Sequence, residues 1–144
     1  MAHFAKLDAD NRVLEIHIVS NEDTSTRGGL EREEHGIVFL ERSTGHLNWK
    51  QCSYNTCKGV HLLGGTPFRA NYPGVGWYYN SEHDIFHPPQ PFASHILNTT
   101  TGQWDPPISK PQETDEQIAS RIFYTWDEDA YQADNTKGWV LPTY

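Results

Sequence analysis

The sequence predicts a mainly β fold, in which a small antiparallel sheet domain is followed by tandem β-hairpin repeats and one short helix. Three observations predict it. Apolar residues alternate near the N-terminus, a short phrase occurs twice between residues 77 and 107 at a spacing of 18 residues, and a helix-capping motif lies at 114–117. We therefore expect a mainly β domain over residues 1–92 and a hairpin-repeat and helix arm over residues 93–144.

The first predicted element is a hairpin over residues 3–19. Its turn, residues 8–11, reads Asp-Ala-Asp-Asn. Asp and Asn suit such a turn because they tolerate a left-handed backbone and hydrogen-bond to their own main chain. Strict alternation along the second strand places Leu14, Ile16 and Ile18 on one face and Val13, Glu15, His17 and Val19 on the other.

The middle of the chain is less regular. Residues 20–29 are polar and are predicted to form a loop, residues 31–42 could form a short helix, and residues 49–54 a strand. Gly36 weakens the helix prediction. Residues 55–76 are rich in Gly and Pro and are predicted to be mostly loop around Val60-His61-Leu62-Leu63, which could contact a neighbouring protein.

The repeated phrase predicts two consecutive β-hairpins, over residues 77–89 and 95–107. Asn80 aligns with Asn98, Phe86 with Trp104, and the Pro-Pro pair at 88 with the pair at 106. A unit this short needs neighbours to bury its apolar face. A third, degenerate copy is expected from arms at 123–127 and 138–142, with a longer excursion between them.

One helix is predicted after the repeats. Prolines at 106, 107 and 111 bar a ladder or a helix over residues 106–112, so the chain there should be extended. Thr114 and Gln117 fit a capping box, and Asp115 and Glu116 favour the positive end of the helix dipole. A helix of two turns is therefore expected over about residues 115–122.

Composition excludes some function classes. The formal net charge of −8 argues against a nucleic-acid surface, which needs a cationic footprint. The sequence contains no run of eighteen apolar residues, so it predicts no membrane span. The N-terminus lacks signal-peptide features, and we therefore expect synthesis in a cytoplasm. In a cytoplasm we expect Cys52 and Cys57 to be reduced thiols. A disulfide between them is the alternative. A hydrophobic content of 36% is low for a compact globular protein. We therefore expect the chain to bury part of its apolar surface against partner proteins.

The sequence carries no strong catalytic motif: it lacks a nucleophile elbow, a phosphate loop, a dinucleotide fingerprint and a paired zinc motif. The best metal candidate is His83-Asp84-x-x-His87, but a predicted turn separates its two histidines. Acidic clusters such as 31–34 and 127–129 are more typical of solvated faces. We therefore expect no enzyme activity, no cofactor and no metal.

Aromatic side chains are the candidate contact residues. Interfaces favour Tyr and Trp anchors, although each ring could instead belong to the core. A carbohydrate-binding surface using Trp77, Trp104 or Trp126 is the alternative, since flat rings stack on sugars. The residues predicted to bind partners are Trp77, Tyr79, Phe86, Trp104, Trp126, Tyr131 and Trp139.

Several motifs together resemble those of small virion structural proteins of marine tailed phages, notably cyanophages. They are MAHFAKLD at 1–8, VSNEDT at 19–24, WKQxSYN at 49–55, NYxGxG at 71–76 and FxPPxP at 86–91. The resemblance covers about two-thirds of the chain and transfers no catalytic residue. Relative to that family, Cys52 stands where Thr is expected, and residues 60–68 look like an insertion.

The resemblance implies a structural component of a phage virion, made in the host bacterial cytoplasm. A capsid decoration or cement protein is favoured, with the major capsid protein as partner and tail proteins second, because the chain is small and lacks a trimerising coiled coil. The alternatives are a tail, baseplate or fibre component, or a carbohydrate-binding module. Homo-oligomers are possible, and neither nucleic acid nor membrane is an expected partner.

Overall fold

The computed structural model describes residues 1–25 and 31–142, which form two compact units. One comprises residues 1–89 and 98–103, and the other residues 90–97 and 104–144. The predicted boundary at 92/93 lies close to the first transition, but residues 98–103 return to the first unit. Most of the regular structure consists of short antiparallel strands, which confirms the mainly β prediction.

The first unit is built on a three-stranded antiparallel sheet in the order β2-β1-β3. Its strands are β1 (Ala2–Leu7), β2 (Val13–Val19) and β3 (Trp49–Cys52), so the predicted N-terminal hairpin and the third strand are confirmed. Strict alternation along β2 is wrong at one position. A register shift between Lys6 and Leu7 skips Leu14, and Val13 therefore packs on the face opposite to that of Val19.

Each face of this sheet is covered within the unit. Helix α2 (Glu33–Thr44) covers one face, where Leu40 packs with Phe4 and Trp49. The predicted helix exists despite Gly36. Close packing explains the glycine, because a Cβ at that position would overlap the Phe4 ring. The other face buries Phe86 together with Leu7 and Val13.

Two short elements in this region were not predicted. Residues 55–76 contain a hairpin of β4 (Thr56–Cys57) and β5 (Val60–His61), turned by Lys58 and Gly59 at φ 50° and 75°. Positive φ at both central residues is typical of a type I′ turn, normally signalled by Asn-Gly. The predicted loop at 20–29 contains the single-turn helix α1 (Asn21–Thr24), capped by Ser20. Residues 26–29 of that loop lie outside the described residues.

The repeated hairpins are confirmed. The first copy forms β6 (Tyr78–Asn80) and β7 (Ile85–His87), and the second forms β8 (Ile96–Asn98) and β9 (Gln103–Asp105). The degenerate third copy also pairs, as β10 (Thr125–Trp126) with β11 (Trp139–Val140). Its predicted excursion contains helix α4 (Glu128–Ala133).

The predicted capping box is present at helix α3 (Asp115–Ala119). The Thr114 hydroxyl accepts from the Gln117 amide, and the Gln117 side chain accepts from the Thr114 amide. The helix ends before residue 122, since Arg121 adopts φ 56°, which is left-handed. Within the described ranges, no helix has the length and apolar character that crossing a bilayer requires.

Candidate interaction surface

A buried arginine holds the first unit together beside its sheet. The Arg69 guanidinium donates to both Glu33 carboxylate oxygens at 2.6 and 3.0 Å, to the Gln51 carbonyl at 2.8 Å, and to Asp84 at 2.8 Å. The Tyr79 hydroxyl donates to the same Asp84 carboxylate. These contacts tie α2, β3 and the β6–β7 hairpin to one side chain.

The carboxylates around Arg69 suit a structural rather than an acid–base role. Partial burial alone would raise the pKa of Glu33, but hydrogen bonds from Arg69 and the Gln51 amide outweigh it and lower that pKa. Desolvation alone would raise the pKa of Asp84, but the Tyr79 hydrogen bond and the charge and hydrogen bond of Arg69 together outweigh it and lower that pKa. Burial, followed by the hydrogen bond to Asp84, raises the pKa of Tyr79 to about 12. General acids need the opposite shift of a carboxyl pKa.

An ordered loop presents two leucines to solvent. We call residues 60–65 the Leu62 loop. The His61 Nδ1 atom accepts from the amides of Leu63 and Gly65 at 3.1 and 3.0 Å, and the Leu62 amide donates to the Asn55 carbonyl at 2.7 Å. Leu62 and Leu63 are nevertheless 64% and 78% exposed. Backbone hydrogen bonds thus fix the loop while both leucine side chains stay in solvent, where they are available to a partner.

A second exposed feature is the aromatic group of His3, Tyr54 and Tyr72, at one end of the three-stranded sheet. The Tyr54 ring stacks on His3 with centroids 5.9 Å apart, and Tyr72 meets both rings edge-on. Tyr54 is 66% exposed. It borders a cavity of about 400 Å³ whose walls are mainly polar and include Gln51 and Asn55.

Three of the seven predicted contact residues support the core of the first unit. Phe86 is completely buried and Tyr79 nearly so, while Trp77 packs against the same cluster half-buried. Phe86 and Tyr79 therefore take the core role that the sequence left open. A ring without exposed surface cannot touch a partner while the hairpin stays folded.

Three others meet in the second unit around Trp126. Its ring lies 5.3 Å from Trp139 and 5.4 Å from Tyr131, measured between centroids, and 5.2 Å from the His95 ring. The indole nitrogen of Trp139 donates to the Ile108 carbonyl at 2.8 Å. Trp126, Tyr131 and Trp139 are half-buried, and so is Trp104 on β9.

Glu128 fastens this ring cluster. Its carboxylate accepts from the Ser94 hydroxyl, from the Ser94 amide at 3.0 Å and from the Trp126 indole at 3.0 Å. Desolvation alone would raise the Glu128 pKa, but the hydrogen bonds from Ser94, Trp126 and Gln132 lower it to about 2. Glu128 is therefore a fixed, ionised acceptor at neutral pH.

The remaining candidate chemistry is dispersed. Across residues 1–25 and 31–142, no group of three or more His, Cys, Asp or Glu side chains could hold a metal ion. Asp84 of the sequence-derived metal candidate is engaged by Arg69 instead. Both cysteines are free thiols. Cys57 is exposed and Cys52 is buried, with burial raising the Cys52 pKa to about 12.

Sequence reasoning did not include the exposed Tyr54 among the candidate contact residues, and it missed Arg69 as an organising residue. Tyr54 lacks the repeat context that drew attention to the other rings. The partners of Arg69 lie 36 residues before it, at Glu33, and 15 after it, at Asp84, so no local spacing reveals them. The Leu62 loop lies in the segment that the sequence predicts could contact a neighbour, and that contact stays a prediction. The β4–β5 hairpin of the same segment was not predicted.

Comparison of the chain with protein-family models, curated proteins and solved structures finds no match.

Proposed function

We propose that this chain is a structural component of a phage virion, and within that class a capsid decoration or cement protein. The observation that carries the proposal is the Leu62 loop, in which fixed backbone holds Leu62 and Leu63 in solvent. The motif resemblance supports a role in the virion, and the Leu62 loop offers an exposed apolar surface through which the chain could contact the shell. The proposed partner is the major capsid protein, with tail proteins second.

The loop can supply useful binding energy. Fully burying a leucine side chain contributes about 1.5–3 kcal/mol. Because Leu62 and Leu63 are 64% and 78% exposed, burying the surface that they still expose supplies about 2–4 kcal/mol of gross stabilisation, before the entropy of association is subtracted. Such a contact is weak for a single copy and becomes effective when many copies sit on one particle. A decoration protein works under those conditions.

A structural role also fits the state of the acidic groups. The carboxylates of Glu33, Asp84 and Glu128 are held by donors that lower their pKa values, which favours permanent ionisation. The proposed role therefore assigns no catalytic step and no cofactor to these residues.

Co-pelleting with empty capsids of the encoding phage tests the proposal. The wild-type chain should pellet with shells, and a Leu62→Asp/Leu63→Asp variant should remain in the supernatant. Leu47→Asp is the matched control, because Leu47 is 76% exposed elsewhere in the unit and should be neutral. Equal pelleting of the double variant would remove the loop from the interface. Particles that lack the protein yet keep their stability and surface density would refute decoration.

Carbohydrate binding is the second candidate, favoured by Tyr54. Among the described aromatic residues its side chain is the most exposed, and it adjoins a cavity with amide and hydroxyl donors. We therefore propose the sugar-binding alternative at Tyr54 rather than at the half-buried Trp77, Trp104 or Trp126. Glycan binding lost on Tyr54→Ala and kept on Phe39→Ala, another exposed ring, would support it.

A further inference from the structure

The two edges of the three-stranded sheet are treated differently. At the β3 edge, the Gln51 amide donates to Glu33 at 2.9 Å and the Gln51 carbonyl accepts from Arg69 at 2.8 Å. The two side chains thus occupy the hydrogen-bonding groups that another strand would use. Natural sheets often block an exposed edge in such ways.

The direction of the backbone groups on β2 follows from this cap. Gln51 points its groups away from β1, so its register partner Phe4 must point its own groups toward β2. Phe4 is opposite His17, which makes that a hydrogen-bonded pair. Backbone groups alternate along a strand, so the amides and carbonyls of Ile16 and Ile18 point away from β1 toward the open edge.

Only the start of that outer edge is occupied. The Val13 amide donates to the Trp77 carbonyl at 2.7 Å, and the Val13 carbonyl accepts from the Gly76 amide at 2.8 Å. Among the described residues, none bonds to the outward backbone groups of Ile16 or Ile18. The open stretch, residues 14–18, carries neither Pro nor Lys, the usual guards of an edge, and Ile18 is 60% exposed.

We propose that this edge pairs with the same edge of a second copy of the chain. A twofold axis through His17 places Ile16 of one copy opposite Ile18 of the other, in antiparallel register. Both of these positions then become hydrogen-bonded pairs, each with two bonds. The four isoleucines lie on one face of the joined sheet, and the two His17 side chains meet on the other. The pairing is isologous and closes at two copies.

The self-complementary spacing favours a copy of this chain over an unrelated strand. A twofold axis through Ile16 or through Ile18 would satisfy only one hydrogen-bonded pair, because Leu14 is skipped in the ladder and the Ser20 carbonyl is used by α1. Charge also agrees. Glu15 lies diagonally across from His17 of the other copy, and these side chains already hydrogen-bond within one chain at 2.8 Å.

This interface is small, so the pairing should be weak in dilute solution and favoured where copies are concentrated, as on a particle surface. The pairing itself does not depend on the virion role. Failure to bind capsids would leave it standing, and failure to pair would leave capsid binding standing.

Cysteine cross-linking tests the register. His17→Cys in a Cys57→Ser background should form an intermolecular disulfide under mild oxidation, because facing Cα atoms of a non-hydrogen-bonded pair lie about 4.5 Å apart, within the disulfide range. Ile18→Cys is the control. It is more exposed, but its two copies are offset by two residues and lie beyond the limit of about 7 Å. Cross-linking of Ile18→Cys as fast as His17→Cys would overturn the proposed register.

Light scattering tests the association itself. The wild-type mass should rise with concentration from 16.5 kDa toward twice that value and no further. Ile18→Lys should hold the mass at that of one chain, whereas Leu47→Lys, which replaces an even more exposed apolar residue elsewhere, should behave like the wild type. A constant wild-type mass without preferential His17→Cys cross-linking, or growth beyond two copies, would refute the proposal.

Discussion

Replacing Arg69 by methionine should destabilise the first unit more than any exposed charge change. Methionine keeps much of the apolar stem and removes every donor. Glu33 then retains only the Gln51 amide as a donor among these contacts, and the Gln51 carbonyl loses its partner. Glu33 remains partly buried, with 25% of its side chain exposed.

The expected loss is about 3–4 kcal/mol. Breaking a buried ion pair costs about 3–5 kcal/mol, and the partial exposure of Glu33 reduces this to about 2–3. The Gln51 hydrogen bond adds about 1 kcal/mol. Asp84 contributes about 0.5 kcal/mol or less, because its side chain is 59% exposed. A loss of this size lowers the melting temperature by about 10 °C in a chain of this length.

Urea unfolding followed by circular dichroism measures the loss, with hydrogen exchange to locate it in β3 and the β6–β7 hairpin. Arg42→Met is the matched control, because Arg42 is exposed on α2 and its loss should change stability by no more than about 0.5 kcal/mol. Asp84→Asn should cost less than about 1 kcal/mol. An Arg69→Met loss below about 1 kcal/mol, or equal to that of Asp84→Asn, would refute the reasoning.

The Arg69–Glu33 ion pair makes the stability of the first unit depend on pH in a defined direction. The folded-state pKa of Glu33 is lowered, so its contribution is complete above the ordinary glutamate pKa and is lost as pH falls through the folded value. The wild type should therefore lose stability on acidification more steeply than Arg69→Met. Parallel acid-unfolding curves for the two proteins would contradict this expectation.

Three further outcomes are expected. Gly36→Ala should destabilise by about 1–2 kcal/mol in urea unfolding despite the better helix propensity of alanine, because the new methyl group overlaps Phe4; an unchanged midpoint would show that Phe4 yields. Asn71→Ala should cost about 3 kcal/mol, since the buried amide bonds three backbone carbonyls, and a loss under about 1 kcal/mol would show that water replaces it. A thiol reagent at pH 8 should label Cys57 alone in the native chain and Cys52 as well in urea, because Cys52 is buried with a pKa of about 12; native labelling of both would contradict the fold.

Local sequence patterns predicted the elements that are determined by residues close together in the sequence. The hairpins at 78–87 and 96–105 follow from apolar arms around polar turns, and α3 follows from the Thr114–Gln117 box. The features that were not predicted are those whose sequence signal is atypical. The β4–β5 turn uses Lys58 rather than Asn at a positive φ, and the shift that turns Val13 to the other face has no distinctive residue.

The contacts that organise the site could not be predicted because they are non-local. Arg69 joins residues from α2, β3 and the β6–β7 hairpin, and each partner also reads as an ordinary surface charge or amide. The aromatic residues were recognised by type, but their roles depend on burial. Phe86 fills the core, whereas Tyr54, which was not among the predicted contact residues, faces solvent.

The return of residues 98–103 to the first unit affects the order in which the chain can fold during synthesis. Asn71 takes two of its three carbonyl partners, those of Thr101 and Gly102, from the tip of the β8–β9 hairpin. The first unit therefore cannot be completed until that tip has left the ribosomal exit tunnel. A released chain truncated after residue 92, although it contains every strand of the main sheet, would leave Asn71 with only the Phe86 carbonyl.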